Sequence, residues 1–447
     1  MRCWILKRHV TISLKRIVSA VLTGALIFVL AACGGEDNTI KNLLSDEGEE
    51  EKTVNLFAPM EKSKPDVENA ARSAFDLTVE IAEEELDLVV EYRTYTAENY
   101  KEQTYDEVAL NRARNHMDDF YLLNPDTVMV LGKEGKLCDL SDLEIAGHLR
   151  EVVKTANTID GKLVAIPQEV VVYGLFINKD MFKQYHLSLP NTPEEFLECC
   201  RVFQENGIET PVGANRWWLE TFVFAQAYAE LYNGGDTEAK IEALNKGEAK
   251  YSDYMRPGFE FLQEMIDHGY IDAETALIYE AIEGEGGDFL AQKTPIVMAY
   301  WGAANAETAY ANPDFNMEVI GFPSKLGQMP VMPMTGFGIS TEAEHLEDTK
   351  KVLDTILSDQ ALQIYSETNR VISPSENVDV ECVPALQPLK DLVDDGVYVL
   401  GSNAGMNVEQ WGNTCLIVRD LLGGASVEEC MAEFDRMQQE SLNPSEE

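Results

Sequence analysis

The chain has 447 residues, of which 45% are hydrophobic, and its 78 acidic against 35 basic residues give a net charge of −43. This length suggests two or three domains, and the ordinary hydrophobic fraction excludes both a wholly disordered chain and a polytopic membrane protein. A surface this acidic repels phosphate backbones, so we expect no nucleic acid among the partners.

The first 32 residues have the pattern of a secretory signal peptide. Residues 1–16 contain basic but no acidic side chains, and Ile17–Ala32 are apolar or small. This apolar stretch is too short for a comfortable membrane span, which favours a signal peptide over a transmembrane helix. It ends in Leu30-Ala31-Ala32-Cys33, which resembles the lipobox of bacterial lipoproteins. The resemblance implies a lipid anchor on Cys33, and an ordinary signal peptide with a chance cysteine is the alternative.

Residues 33–52 are polar, contain glycine and are rich in acidic side chains, as in Ser45–Glu51. Such a segment cannot bury enough apolar surface to fold, and its charges repel one another. We therefore expect a flexible acidic tether over residues 33–52, with the folded body beginning near Thr53.

Beyond Thr53, short apolar runs alternate with stretches of helical periodicity. The predicted strands are Val54–Ala58, Leu86–Tyr95, Thr127–Leu131, Leu163–Ile166 and Val170–Ile177. The predicted helices cover residues 65–84, residues 98–120 and a segment that begins after Thr192. At that last start, Thr192 and Glu195 form a capping box with Pro193 at the first helical position. The alternation predicts an α/β fold with helices on both faces of a sheet.

Cysteine spacing gives no sign of a metal site. Apart from Cys3 and Cys33, the chain has Cys138, Cys199, Cys200, Cys382, Cys415 and Cys430. These six could form disulfides that the sequence cannot pair, but burial as small hydrophobic residues is favoured. No Cys-x-x-Cys or His-x-x-x-His spacing occurs, so we expect neither a metal nor another cofactor.

Several short motifs occur in a fixed order along the body of the chain. They are Asp160–Pro167, Gly174–Phe182, Leu189–Phe196, Phe289–Met298 with Trp301, Gly336–Ser340 and Gly423–Glu429. In this order they resemble the extracellular solute-binding proteins of sugar ABC importers, across nearly all of residues 53–440. Each motif alone is weak, but the ordered set behind a lipobox is specific.

The resemblance implies a two-lobed, periplasmic-binding-protein-like α/β fold with a hinge and an interlobe cleft. We place lobe 1 at residues 53–168 plus 323–373 and lobe 2 at residues 169–322 plus 374–447. The implied function is capture of a sugar or oligosaccharide in the cleft and its delivery to the permease subunits of an ABC importer. The implied location is the extracytoplasmic face of the cell membrane, where Cys33 carries the lipid.

A sugar presents apolar C–H faces and a rim of hydroxyl groups, and so needs flat aromatic rings and a few polar side chains. The tryptophans of the body are Trp217, Trp218, Trp301 and Trp411. The resemblance implies cleft positions for Trp301 and Trp411 and for one of the neighbours Trp217 and Trp218. Consecutive helical residues point about 100° apart, so only one of those two is expected to face a ligand. Core or surface packing is the alternative for each tryptophan.

Two further residues are candidate ligand contacts. Glu61 follows the first predicted strand, where the resemblance implies a ligand contact, although an exposed loop side chain is the alternative. Tyr173 lies on the predicted lobe-crossing strand and could offer both a ring face and a hydroxyl, or else pack in the sheet. Asp126 matches a recurring Pro-Asp pair of the family in which the acid is structural.

Other functions carry less support. The sequence has no Gly-x-Ser-x-Gly, no His-Glu-x-x-His and no phosphate-binding glycine loop, so no catalytic residue is predicted. Paired acids such as Asp118 and Asp119 leave an extracellular glycosidase as a remote alternative. A peptide, a polyamine or another cation is the nearer alternative ligand, because the acidic surface mildly favours a cationic solute.

Overall fold

The computed structural model describes residues 52–62, 73–278, 285–303 and 313–443. The predicted signal peptide, Cys33 and nearly all of the tether lie outside these residues, as does the first part of the helix predicted over 65–84. The described strands, in chain order, are β1 (Thr53–Ala58), β2 (Val89–Thr94), β3 (Phe120–Leu123), β4 (Thr158–Ile159), β5 (Lys162–Leu163), β6 (Val172–Asn178), β7 (Val212–Gly213), β8 (Ile296–Trp301), β9 (Met317–Ile320), β10 (Phe322–Ser324), β11 (Gly327–Met329), β12 (Val331–Met332), β13 (Gly336–Ile339) and β14 (Val399–Leu400).

The described α-helices, in chain order, are α1 (Ala74–Leu86), α2 (Tyr105–Arg114), α3 (Pro125–Lys133), α4 (Glu151–Asn157), α5 (Lys179–Gln184), α6 (Pro193–Glu205), α7 (Glu220–Ala227), α8 (Ala229–Asn233), α9 (Thr237–Asn245), α10 (Tyr251–Asp267), α11 (Ala273–Ile278), α12 (Glu285–Leu290), α13 (Leu346–Ile356), α14 (Asp359–Asn369), α15 (Gln387–Asp394), α16 (Trp411–Leu422) and α17 (Val427–Leu442). Short 3₁₀ helices cover Glu144–His148 and Pro384–Leu386.

The first sheet has the strand order β13-β3-β1-β2. Strand β1 is parallel to both β2 and β3, and β13 runs antiparallel to β3. Helices α13 and α14 pack against α1, and their apolar side chains share one core with Val54 and Leu56 of β1. Because β1 and β3 are parallel, the segments that follow them, at Pro59 and Asn124, leave the sheet at the same edge.

The second sheet has β6 near its centre and the strand order β14-β12-β6-β8-β7. Strand β6 pairs antiparallel with β8 on one side and with β9 and β12 on the other. Helix α10 packs against both α7 and α17, with Phe222, Phe259 and Phe434 in one core. The chain passes from one sheet to the other just before β6, since Ile166 still bridges Phe337 of β13.

Local sequence signals explain several helix starts. Helix α6 begins with the predicted capping box, in which the Thr192 hydroxyl accepts from the Glu195 amide and the Glu195 carboxylate accepts from the Thr192 amide. Ser426 and Glu429 form the same arrangement at the start of α17. Each box satisfies backbone N–H groups that have no partner within the helix.

The strand predicted at Thr127–Leu131 is wrong, because these residues belong to α3. The strand of this region is β3, which ends one residue before Asn124. Asn124 is extended and Pro125 occupies the first helical turn, a position that suits proline because its φ is already helical. The apolar run Thr127–Leu131 therefore packs as the buried face of a helix, against its β-branched preference for a strand. The helix predicted over 98–120 is also shorter than expected, because only α2 forms there.

The predicted lobe boundaries stay a prediction, since Thr53–Glu447 cluster as one compact unit. Strand β12 does not fit the predicted lobe boundaries. The predicted boundary at residue 323 places Val331–Met332 in lobe 1, but Val331 pairs with Tyr173 of β6 and both residues pair with β14. Its backbone hydrogen bonds thus place β12 in the second sheet.

Candidate functional site

Four aromatic side chains meet at one end of the second sheet, and we call Tyr173, Trp218, Tyr300 and Trp411 the aromatic cluster. The ring centre of Tyr173 lies 5.3 Å from Trp411, 5.4 Å from Tyr300 and 6.4 Å from Trp218. Trp218 and Tyr300 are 5.8 Å apart and nearly perpendicular. All four side chains are partly exposed, so their rings offer flat apolar surface that a ligand can contact.

Four different parts of the chain bring these rings together. Tyr173 of β6 is paired directly with Tyr300 of β8, which puts the two rings on the same face of the sheet. Trp218 lies in the turn that precedes α7, and Trp411 is the first residue of α16. The cluster thus joins one end of the two interior strands β6 and β8 to the N-terminal ends of two helices.

Burial raises the pKa of ionisable groups in and beside the aromatic cluster. Burial, reinforced by the nearby Glu220, raises the pKa of Tyr173, so its hydroxyl stays protonated and can donate as well as accept. Glu220 is fully buried, and its carboxylate oxygens have no hydrogen-bond partner among other described residues. Burial therefore raises the pKa of Glu220 well above its ordinary value.

A second carboxyl group, Glu169, lies where the chain enters β6. It accepts a hydrogen bond of 2.7 Å from the Ala303 amide and another from the Tyr365 hydroxyl. Burial outweighs these two bonds and raises the pKa of Glu169 to about 7. Burial raises the pKa of Tyr300, and the charge of Glu169 adds to this rise, which connects Glu169 to the aromatic cluster.

Only one of the two adjacent tryptophans joins the cluster. Trp217 is 42% exposed, and its ring lies against the guanidinium groups of Arg216 and Arg419, at 5.0 and 5.3 Å. Trp218 lies on the other side of the backbone, with Tyr173 and Tyr300. The two therefore occupy different surroundings, although which of them contacts a ligand stays a prediction.

Trp301 is a core residue, which does not fit the cleft position that the resemblance implies for it. It is 1% exposed, and its indole N–H donates to the Arg370 carbonyl at 2.9 Å. The reason is the alternation of strand side chains: Trp301 and Tyr300 are neighbours in β8 and point to opposite faces. Tyr300 faces the cluster, and Trp301 therefore packs on the core side with Phe176.

Glu61 is exposed and is not part of the aromatic cluster. Its proposed contact with a ligand is neither supported nor contradicted by its position after β1. Tyr300, Glu169 and Glu220 are the site residues that the sequence reasoning missed. For Tyr300 a signal was present, because a strand prediction that places Trp301 on one face places Tyr300 on the other.

Asp126 links two elements by hydrogen bonds, although the segment after its Pro-Asp pair is helix α3 and not the strand that the family motif precedes. Its carboxylate accepts from the Ser402 hydroxyl at 2.8 Å and from the Gly412 amide at 2.9 Å. These bonds tie α3 to the beginning of α16, the helix that carries Trp411.

No group of His, Cys, Asp or Glu side chains suited to a metal ion occurs in the described parts of the chain. The cysteines Cys138, Cys199, Cys200, Cys382, Cys415 and Cys430 are unpaired, and all but Cys138 are buried. Across the same described ranges, no helix has the length and hydropathy of a membrane span.

Comparison with known proteins identifies the fold. A family 1 extracellular solute-binding protein from Bifidobacterium longum subsp. infantis is 16% identical, with a TM-score of 0.68 over 87% of this chain and 99% of that one. A chitin oligosaccharide binding protein is also 16% identical, with a TM-score of 0.67 over 88% of this chain and 99% of that one. RafE from Streptococcus pneumoniae is 14% identical, with a TM-score of 0.65 over 88% of this chain and 98% of that one.

At these identities the likeness shows the fold, and the predicted two-lobed, periplasmic-binding-protein-like α/β fold is confirmed. Comparison with curated protein sequences gives no match. The family model described as bacterial extracellular solute-binding protein matches residues 83–363, which is more than half of the chain. The protein therefore belongs to the bacterial extracellular solute-binding proteins.

Proposed function

We propose that this protein binds a sugar or oligosaccharide against the aromatic cluster and delivers it to the permease of an ABC importer. The proposal rests on one observation. Four partly exposed rings lie together, those of Tyr173, Trp218, Tyr300 and Trp411. Ring faces complement the C–H faces of a sugar, and phenol hydroxyls and indole N–H groups can bond its hydroxyl rim.

The ligands of structurally similar proteins support this choice. One similar structure is RafE in complex with raffinose, another is a chitin oligosaccharide binding protein, and a third is the GacH receptor of Streptomyces glaucescens with acarbose. Each of these ligands is a saccharide or a saccharide analogue. A peptide or a polyamine remains the alternative solute.

The family binds substrates rather than transforming them, and we propose the same for this chain. Glu169 and Glu220 are two acids near the cluster, and each is held by its surroundings: Glu169 accepts from Ala303 and Tyr365, and Glu220 is fully buried.

A thermal-shift screen of the purified protein tests the ligand class. Raffinose, acarbose, chitin oligosaccharides, a short peptide and spermidine are added separately, because a ligand that binds only the folded state raises its melting temperature. We expect one or more saccharides to raise the melting temperature and to be recovered unchanged. A shift with spermidine or the peptide alone would contradict the proposal, and conversion of the saccharide would indicate a glycosidase.

Attachment to the membrane through Cys33 is a separate part of the proposal, supported by the sequence Leu30-Ala31-Ala32-Cys33. Cys33→Ser removes the thiol that would carry the lipid. We expect the parent to fractionate with membranes and the Cys33→Ser variant to be released or incompletely processed. Mass spectrometry that finds the parent free in the medium with an unmodified Cys33 would contradict the anchor.

A further inference from the structure

The carboxylate of Asp126 connects α3 to two chain segments. One segment carries Trp411, and the other lies beneath the Trp411 ring. It accepts from the Ser402 hydroxyl at 2.8 Å, and from the amides of Gln410 and Gly412 at 3.3 and 2.9 Å. The two amides belong to the residues on either side of Trp411. Burial raises the pKa of Asp126, and these donors act against that rise.

Ser402 follows Gly401, and Gly401 forms the surface on which the indole lies. A Cβ atom at Gly401 would overlap Cζ3 and Cε3 of Trp411, so only glycine admits the ring in its present place. Gly401 is itself fixed to the second sheet, because its amide donates to the Met332 carbonyl at 3.1 Å. The ring is then bounded by Tyr173 and Phe224, at 5.3 and 5.4 Å.

We propose that Asp126 is a positioning residue for Trp411: by bonding Ser402 together with Gln410 and Gly412, it fixes the indole within the aromatic cluster. This inference rests on the proposed function, in which Trp411 contacts the sugar. It goes beyond a structural cap because one carboxylate joins the surface beneath the ring to the backbone that carries the ring.

The chemistry of the carboxylate explains why a conservative change should matter. The carboxylate of Asp126 accepts hydrogen bonds and donates none. The free amides at the N-terminus of α16 add a partial positive charge, which favours this carboxylate. In Asp126→Asn, one oxygen becomes an NH₂ group that cannot accept from those amides, so one part of the connection is lost. Trp411 would then be held by ring packing and by the bonds of the one remaining oxygen.

Asp119 supplies a matched control. It is also a buried carboxylate that joins separate segments, because it accepts from the Asn55 amide at 2.8 Å and the Glu344 amide at 2.9 Å. It precedes β3, whereas Asp126 follows it, so the two lie at opposite ends of that strand. Asp119→Asn should lower stability without changing the environment of Trp411.

The test combines binding with a readout that needs no ligand. Affinity is measured by calorimetry with whichever of raffinose, acarbose or chitin oligosaccharide binds the parent, for Asp126→Asn, Trp411→Ala and the double variant. We expect Asp126→Asn to weaken binding roughly tenfold, equivalent to about 1.4 kcal/mol. It should have little further effect once Trp411 is alanine, because the two changes then act on the same contact.

The second readout is the fluorescence of Trp411, obtained as the difference between each protein and its Trp411→Phe partner. We expect acrylamide to quench this emission more strongly in Asp126→Asn than in the parent or in Asp119→Asn. If Asp126→Asn fails to fold, Ser402→Ala, which removes one donor, should shift affinity and quenching in the same direction. Unchanged quenching and unchanged affinity in the folded variant would overturn the inference.

The two hypotheses fail in different ways. If Trp411→Ala binds the saccharide as the parent does, or if no saccharide binds the parent, the proposed function fails and the quenching experiment still decides the role of Asp126. If Trp411→Ala weakens binding while the effect of Asp126→Asn persists in the Trp411→Ala background, the function stands and the positioning role is wrong.

Discussion

Trp411 and Trp217 allow the ligand site to be tested at the scale of single residues. Both are partly exposed tryptophans near α16, but Trp411 lies in the aromatic cluster and Trp217 lies between two arginines. We expect Trp411→Ala to weaken saccharide binding by roughly ten- to a hundredfold, since a buried aromatic contact is worth about 1–3 kcal/mol. Trp217→Ala should bind nearly as the parent does. Calorimetric titration measures the saccharide affinity of both variants. Equal losses of affinity would contradict the assignment of Trp411 as a ligand contact.

Trp301 should affect folding rather than binding. Because its side chain is 1% exposed and its indole N–H bonds the Arg370 carbonyl, truncation leaves a large cavity and an unpaired carbonyl. Trp301→Ala should lower the free energy of unfolding by about 3–5 kcal/mol, the usual cost of removing a large core aromatic. Urea denaturation measures this loss. A fully stable Trp301→Ala protein with weakened saccharide binding would restore Trp301 as a ligand contact.

Glu169 makes the stability depend on pH. Its folded-state pKa of about 7 lies above the ordinary value of 4.5, so the folded state favours the protonated acid. The resulting stabilisation is complete below pH 4.5 and is lost as the pH rises through 7, by at most about 3 kcal/mol at 1.36 kcal/mol for each pKa unit. Glu169→Gln stays neutral and should escape this loss. Urea denaturation at pH 5 and pH 8 should show the variant gaining on the parent at pH 8, and parallel pH profiles would contradict the prediction.

At the scale of elements, some signals in the sequence were local and others depended on the tertiary structure. The capping box of Thr192 and Glu195 predicted the start of α6 correctly, because it involves only residues within one turn. The run Thr127–Leu131 was mistaken for a strand, since a short apolar run suits a buried strand and a buried helix equally well. Strand alternation puts Tyr300 and Trp301 on opposite faces of β8, but which of the two faces is buried depended on tertiary packing, which no local pattern reveals.

The close packing of β6 and β9 is a property of these two elements that can be tested. A Cβ atom at Gly174 would lie 2.6 Å from the Ile320 carbonyl oxygen, so any side chain there would push the strands apart. We expect Gly174→Ala to lower the free energy of unfolding by about 1–3 kcal/mol, as overpacking does. It should also disturb the neighbouring Tyr173 and weaken saccharide binding.

Gly147 provides the control for that change, because no atom lies within 4 Å of a Cβ placed there. Gly147→Ala should leave both stability and binding close to those of the parent. Thermal and urea denaturation measure stability, and titration measures affinity. If Gly174→Ala were as stable as Gly147→Ala, the close approach of β6 to β9 would be wrong.

At the scale of the whole molecule, the fold predicts a change of shape on binding. A ligand that contacts both lobes binds the closed form better, and so shifts the population toward it. Small-angle X-ray scattering should show a smaller radius of gyration at saturating saccharide than without it. An unchanged radius, for a protein whose ligand-free scattering matches an open form, would contradict hinge closure.

The central claim is that a sugar binds against the aromatic cluster, and a crystal structure of the protein grown with its stabilising saccharide tests it most directly. We expect a sugar ring in contact with Trp411, with further contacts to Trp218, Tyr173 or Tyr300. A saccharide bound elsewhere on the protein, with these four rings free of ligand, would contradict it.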